Sequence, residues 1–454
     1  MHFFEELGGL VEQSWKKENF DNSVFAEVAS AALRAMPPCE RIDYRDIAEW
    51  VFGADSIPPQ NLFSAFGEPP LILYWDDRFY IEALFWLDTQ TSIHEHGLEG
   101  AFHILEGSSL HCRYKFELKE RINSRLLIGD IRLREVECLS VGDTRSILPG
   151  RRFIHSTFHL EKPTVTIIVR TRINEEARPQ YTYLLPSVAY DPVDKRELLT
   201  RQLDLLQLLQ GSKDPNYARQ VRRLITRSDL ETAFWVLEQA HRHLNAEEFA
   251  GTLTIARERH GELLESFPRV FEGNRRSEKI NGRCPLVENP VHRLLLGLLL
   301  GLPNRAAIFT FLRRHYEGFN PVDLIMKWVE EMATTKAADN SGQNILGVRF
   351  DEASLLIFRS LLEGLSFKQT KERLKTEYDS AEIDAQEDHL SALHSALKTS
   401  ALFAPLFIAG RAPAFELGGR RWKPASLPEK RQERAKRSRA ELPTAVSARR
   451  LRRD

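Results

Sequence analysis

Hydrophobic positions along this chain follow three successive patterns. Up to about residue 65, short runs of helical spacing are broken by Pro37-Pro38 and Pro58-Pro59; Asp21-Asn-Ser-Val-Phe-Ala-Glu-Val-Ala-Ser-Ala-Ala-Leu-Arg is one. From about Leu71 to Leu185 the pattern becomes strand-like. Leu71-Ile-Leu-Tyr-Trp, Phe79-Tyr-Ile-Glu-Ala-Leu-Phe-Trp, Ala101-Phe-His-Ile-Leu and Pro163-Thr-Val-Thr-Ile-Ile-Val-Arg are rich in β-branched and aromatic residues. Turn signals separate them at Trp75-Asp-Asp-Arg, Glu106-Gly-Ser-Ser and Leu148-Pro-Gly-Arg. Short strands punctuated in this way predict a sandwich or barrel.

The period then changes to 3.6. Asp194-Lys-Arg-Glu-Leu-Leu-Thr-Arg-Gln-Leu-Asp-Leu-Leu-Gln-Leu-Leu places apolar residues at i, i+3 and i+4. Further helices are predicted near 215–227, 229–243, 246–265, 289–301, 304–316, 321–334, 351–364, 366–378 and 388–400. Asn289-Pro and Asn320-Pro-Val-Asp supply helix starts. No fixed-period repeat stands out. The expected organisation is an α+β multidomain chain: an N-terminal helical segment over 1–65 packing on a β-domain of 66–190, an all-α domain of 191–415, and a basic, disordered tail of 416–454.

Composition narrows the class. With 454 residues, 42% hydrophobic and 28% charged, the chain is too long for one ordinary core and reads as a soluble protein. The formal net charge of -1 hides an asymmetry, because Arg420 to Asp454 holds 13 Lys/Arg against 4 Asp/Glu, or +9, leaving about -10 for the rest. Cys39, Cys112, Cys138 and Cys284 are widely spaced, which argues against a disulfide scaffold or structural zinc site and suits a reducing, cytoplasmic setting. Met-His-Phe-Phe-Glu-Glu lacks the features of a signal peptide, and the run from Leu294 to Leu302 is less than half a membrane span, so no membrane segment is expected.

The densest chemistry lies in Thr91-Ser-Ile-His-Glu-His-Gly. His94 and His96 are two apart on a strand, so both imidazoles leave one face, an arrangement suited to a first-row transition metal. A third ligand is available in Gly150-Arg-Arg-Phe-Ile-His-Ser-Thr-Phe-His, where His155 and His159 are the candidates.

These segments resemble the two motifs of the cupin superfamily. His94-Glu-His96 and Gly107 keep the frame of G-x5-H-x-H-x3,4-E-x6-G; Gly100 takes the usual glutamate position and Glu99 falls one residue short. Gly142, Pro149-Gly150, His155 and His159 follow the second motif with small insertions, His159 standing where the family has asparagine. That alignment favours His155 as the third ligand. Within the superfamily, Phe85-Trp-Leu-Asp-Thr-Gln-Thr-Ser-Ile-His-Glu-His and His155-x3-His159 with Pro163 are most similar to thiol dioxygenases of the cysteine dioxygenase type. The resemblance covers roughly 70–172. It implies a jelly-roll β-domain in which His94, His96 and His155 hold Fe(2+), with nickel, manganese, copper and zinc also compatible. It further implies oxidation of a substrate thiol to a sulfinate.

Two positions depart from that family. Gly100 stands where animal members carry a cross-linked cysteine, and Arg170 stands where they carry a tyrosine. The substrate-clamping arginine of an earlier strand is missing from Pro70-Leu-Ile-Leu-Tyr-Trp. Arg170 becomes the candidate carboxylate binder, with Arg78 and Arg113 behind it. His159 is expected beside it as a group orienting ligand or substrate. Asp88 and Glu95 are candidates to fix an imidazole tautomer, Trp86 and Phe85 read as core, and Cys112 as a buried thiol. The orientation of His111 is left open.

The leading expectation is thus a mononuclear non-haem iron oxygenase acting on a small thiol. The alternative is a non-catalytic cupin sensor whose helical domain binds a protein or nucleic-acid partner. Phe358 to Leu374 has the form of helix, Gly-containing turn and basic helix, but this is a common all-α connection and nucleic acid is the less expected partner.

Overall fold

The computed structural model describes residues 2–62, 64, 66–88, 90–172, 179–337 and 343–422. Helices α1 (His2–Lys17), α2 (Phe25–Ala35) and α3 (Tyr44–Gly53) come first. The strands follow as β1 (Pro70–Trp75), β2 (Phe79–Trp86), β3 (Ile93–His94), β4 (Gly100–Glu106), β5 (Ser108–Arg121), β6 (Leu126–Ser140), β7 (Thr144–Ile147), β8 (Ile154–His159), β9 (Thr164–Thr171), β10 (Thr182–Leu184) and β11 (Val188–Tyr190). The rest is helical: α4 (Glu197–Gly211), α5 (Tyr217–Arg227), α6 (Leu230–His243), α7 (Ala246–His260), α8 (Phe267–Asn281), α9 (Pro290–Gly301), α10 (Arg305–His315), α11 (Pro321–Thr334), α12 (Glu352–Glu363), α13 (Phe367–Glu377), α14 (Ser380–Ala385) and α15 (Glu387–Lys398). All of these lie in one compact unit, Met1–Arg421; the predicted basic tail falls outside the described residues from 423 onward.

Two sheets form a cupin-like sandwich. One has the order β1-β2-β9-β4-β7; the other runs β11-β10-β3-β8-β5-β6, with Glu416–Leu417 added in parallel beyond β6. Period-2 alternation sorts the side chains between the faces of the first sheet. Phe79, Ile81, Ala83, Ala101, Val165, Ile167 and Val169 face outward, where Phe4, Leu7, Val11 and Trp15 of α1 and Phe25, Ala29 and Leu33 of α2 cover them. Their neighbours Leu84, Trp86, Phe102, Ile104 and Ile168 face inward and meet Leu139 and Phe153 between the sheets.

Helix α9 covers the outer face of the second sheet, and two glycines allow the approach. A Cβ on Gly297 would meet Phe158 Cδ1 at 3.0 Å, and one on Gly301 would meet Cys112 Sγ at 3.0 Å. One turn before Gly297, the fully buried Arg293 donates from Nε to the His159 carbonyl at 2.9 Å and from Nη1 to the Cys284 carbonyl at 2.9 Å. Asn289 caps α9 by accepting from the Val291 amide, with Pro290 at the first helical position. Asn320-Pro321 starts α11 in the same way.

The α12–α13 pair does form a helix-turn-helix, with Gly364 left-handed at the turn. Most of its basic residues are already paired: Lys371 with Asp384 and Glu387, Arg373 with Glu363, and Lys375 with Asp384, which leaves Lys368. Little of that charge remains for phosphates. Among the described residues no helix is long and apolar enough to cross a membrane.

Candidate metal centre

The short strand β3 carries His94 and pairs with β8 so that His94 lies opposite His155. His96 follows in the turn, where it bridges to Pro149. One ring nitrogen from each of the three histidines lies within 4.8 Å of the others. His96 Nε2 and His155 Nε2 are 2.8 Å apart, and the His94 ring centroid is 4.6 Å from that of His96 and 4.7 Å from that of His155. Adjacent nitrogens on a metal with bonds of about 2.1 Å stand about 3 Å apart, so the spacing fits a shared cation.

Hydrogen bonds to the far nitrogens set the tautomers. His94 Nδ1 donates to the Ser92 carbonyl at 2.8 Å, which leaves Nε2 as a lone pair, and that atom is buried without a hydrogen-bond partner. His155 Nδ1 is 3.0 Å from His111 Nε2, and His111 Nδ1 is 2.9 Å from Glu137 Oε1. Glu137 in turn accepts from Arg145 Nε at 3.0 Å and Nη2 at 2.5 Å. With the carboxylate accepting from His111 Nδ1–H, His111 Nε2 accepts from His155 Nδ1–H, and the Nε2 lone pair of His155 points at the centre.

Electrostatics favours the ligating forms. Burial, then the neighbouring imidazoles, pushes His96 and His155 well below the usual histidine range; burial also lowers His94. Burial alone would raise Glu137, but hydrogen bonds from His111 and Arg145 outweigh it and hold the carboxyl at about 2. Three neutral imidazoles with one orphaned acceptor form a donor set suited to a divalent transition metal.

Apolar rings enclose the centre. Phe153 packs 4.6 Å and Phe102 6.3 Å from the His155 ring, and Phe66 sits edge-on to His94 at 5.6 Å. His155 is buried while His94, His96 and Phe66 remain partly exposed, so the opening is on their side.

Arg170 and His159 both project between the sheets, yet neither joins the cluster. Arg170 donates from Nη1 to Glu82 Oε1 at 3.1 Å and lies 4.9 Å over the Tyr80 ring. Its charge is close enough to lower His96. His159 stacks on Trp86 at 4.7 Å, places Nδ1 3.0 Å from Ser109 Oγ, and keeps Nε2 buried and unpartnered. Burial pushes it down to about 3.

Other expectations resolve differently. Asp88 pairs with Lys162, and Glu95 accepts from the Tyr183 hydroxyl at 2.5 Å, so neither orients an imidazole. Glu99 pairs with Arg152 at 3.2 Å, Arg113 with Glu135 at 3.1 Å, and Arg78 lies over Phe20. Trp86 is core but also the wall on which His159 stacks; burial pushes the Cys112 thiol up to about 12. A Cβ on Gly100 would come within 2.2 Å of the Val169 carbonyl oxygen, so the close β4–β9 crossing admits no side chain there. Sequence reasoning left His111 open and missed Glu137 and Arg145. The register of β5 and β6, which sends His111 inward with Glu137 opposite, is the signal that would have found them.

No family model matches the chain, and no curated protein is similar in sequence. Among solved structures, a cupin-2 domain containing protein from Shewanella frigidimarina NCIMB 400 is 13% identical, covering 29% of this chain and 96% of that one at a TM-score of 0.17. Hydroquinone 1,2-dioxygenase from Sphingomonas sp. TTNP3 is 11% identical, covering 27% and 83%, TM-score 0.19. An oxalate oxidase bound to the substrate analogue glycolate is 12% identical, covering 47% and 82%, TM-score 0.20.

Proposed function

We propose that the chain is a mononuclear non-haem iron oxygenase, with His94, His96 and His155 holding Fe(2+) and a small thiol-bearing molecule as substrate. The observation that carries this reading is the buried, unpartnered His94 Nε2 beside the His96–His155 nitrogen pair. Ferrous iron bound there supplies redox chemistry toward dioxygen, by which a thiol and one O2 become a sulfinic acid. The chain's own groups do the rest. Ser92 and the His111–Glu137–Arg145 relay hold two imidazoles in their ligating tautomers. Phe66, Phe102 and Phe153 limit water around the site. Arg170 is the guanidinium available to a substrate carboxylate, which would share it with Glu82, and His159 Nε2 is a buried, unpartnered ring nitrogen open to a hydrogen bond with substrate. In this reading residues 66–190 carry the chemistry and 191–415 cover the back of the sandwich or recruit a protein partner, in a cytoplasm that keeps the four cysteines reduced.

A second reading, a metal-loaded or metal-free sensor without turnover, draws on one observation: Arg170, the expected carboxylate clamp, is already paired with Glu82. One experiment separates the two. Metal content of freshly purified protein is measured, then oxygen uptake with a panel of small thiols after anaerobic ferrous loading. Near-stoichiometric iron with thiol-dependent uptake, both lost in His155→Ala, supports the oxygenase. Bound metal without uptake favours the sensor, and failure to load any divalent metal overturns the oxygenase and the metal-loaded form of the sensor.

A further inference from the structure

The other side of β3 borders a different chamber. Ile93 and Ser156 project away from the histidine centre, their strand neighbours His94 and His155 toward it. Between that outer sheet face and helices α6, α8 and α9 lies a cavity of about 360 Å³. Its walls include Tyr114, Tyr183, Tyr190 and Trp235. The tyrosine hydroxyls are engaged elsewhere: Tyr183 with Glu95, Tyr114 with Ser156, and Tyr190 with Thr182. What they offer the cavity is ring surface. Trp235 packs edge-on to Tyr190 at 5.0 Å and extends the same wall.

The charges divide unevenly. Arg242 is saturated, pairing with Glu238 and with Glu278 Oε1 at 2.7 Å. Arg276, one turn further along α8 from Gly273, has no hydrogen bond or ion pair among the described residues, and its Nε is buried without a partner. Burial lowers its guanidinium from the usual arginine range, with Glu272 acting against that. An unpaired, partly desolvated guanidinium gains more from a carboxylate than one in open water does. The cavity is within the size range of small-molecule sites, which are apolar with a few placed polar groups.

We propose that this cavity is a ligand site for a small aromatic carboxylate, its ring against Tyr190 and Trp235 and its carboxylate on Arg276. The site is separate from the histidine centre and does not depend on any metal there. Full-length protein is titrated calorimetrically with benzoate, phenylacetate and indole-3-acetate, alongside benzamide, phenethylamine and inorganic phosphate. The carboxylates are expected to bind at least ten-fold more tightly than the amide, the amine and phosphate. Arg276→Gln should lose that preference, and Arg276→Lys should restore most of it. Since Arg276 makes no hydrogen bond or ion pair among the described residues, both variants are expected to melt close to the parent, which checks their folding. Unchanged carboxylate affinity in His155→Ala distinguishes this site from binding at the histidines. The proposal is overturned by no carboxylate binding up to about 10 mM, by amine or phosphate binding as tightly as the carboxylates, by unchanged affinity in Arg276→Gln, or by loss of binding in His155→Ala.

Discussion

Strand β8 carries two histidines on one face, four residues apart, and they have opposite surroundings. His155 is wired on its Nδ1 side through His111 and Glu137 to Arg145, and its Nε2 meets another imidazole. His159 rests on a serine hydroxyl and a tryptophan ring, and among the described residues no other ring nitrogen approaches it within hydrogen-bonding distance. Both are buried, and burial lowers the proton affinity of both. Burial therefore does not distinguish a ligand from a lining residue; convergence of lone pairs does, and convergence requires partners on the far nitrogens.

The sharpest way to break that comparison is to remove each ring in turn. His155→Ala should abolish stoichiometric binding of a divalent metal, whereas His159→Ala should leave the stoichiometry at one, both read by elemental analysis after loading. Equal loss in the two would mean that His159 ligates. Next in size, Glu137→Gln should weaken metal affinity about 10- to 100-fold by releasing the His111–His155 tautomer. A competition titration against a chromogenic chelator measures it, and an unchanged constant would show the relay to be structural only. Arg170→Gln should leave metal affinity within about three-fold, because the side chain faces the interior without ligating. If the oxygenase reading holds, it should raise KM for a carboxylate-bearing thiol while changing kcat less.

A last prediction concerns a histidine outside the centre. His103 is buried with Nδ1 2.9 Å from Thr144 Oγ1, and burial holds it at about 4. Below the ordinary histidine range the unfolded chain takes up a proton that the folded chain refuses. Its contribution is therefore complete above pH about 6.5 and is lost as pH falls toward 4, with a slope of about 1.4 kcal/mol per unit. His103→Gln should remove one proton's worth of that slope from denaturant unfolding curves; an unchanged slope would place the proton elsewhere.

Much of this was legible beforehand. The helices predicted near 289–301, 304–316 and 321–334 are present as α9, α10 and α11, because strong apolar periodicity coincides with asparagine caps. Helix α8 was not predicted: Glu272, Arg275, Arg276, Glu278 and Lys279 crowd a segment that buries only Phe267, Val270, Phe271 and Ile280. The two-residue spacing of His94 and His96 sufficed to place them together. The spacing could not supply His111 and Glu137, whose meeting depends on the register between two long strands. Nor could it show that Glu82, across the β2–β9 pairing, would occupy Arg170.

Arg293 bears on how the molecule can be divided. It belongs to a helix far along the chain, yet its guanidinium donates to the carbonyl that ends β8, and the glycines of that helix lie against Phe158 and Cys112. A fragment cut at the last strand would bare an apolar sheet face and leave the His159 carbonyl without its donor. The smallest piece worth expressing therefore runs through α9, and a library of β-only fragments would discard the molecule's own lid before any assay began.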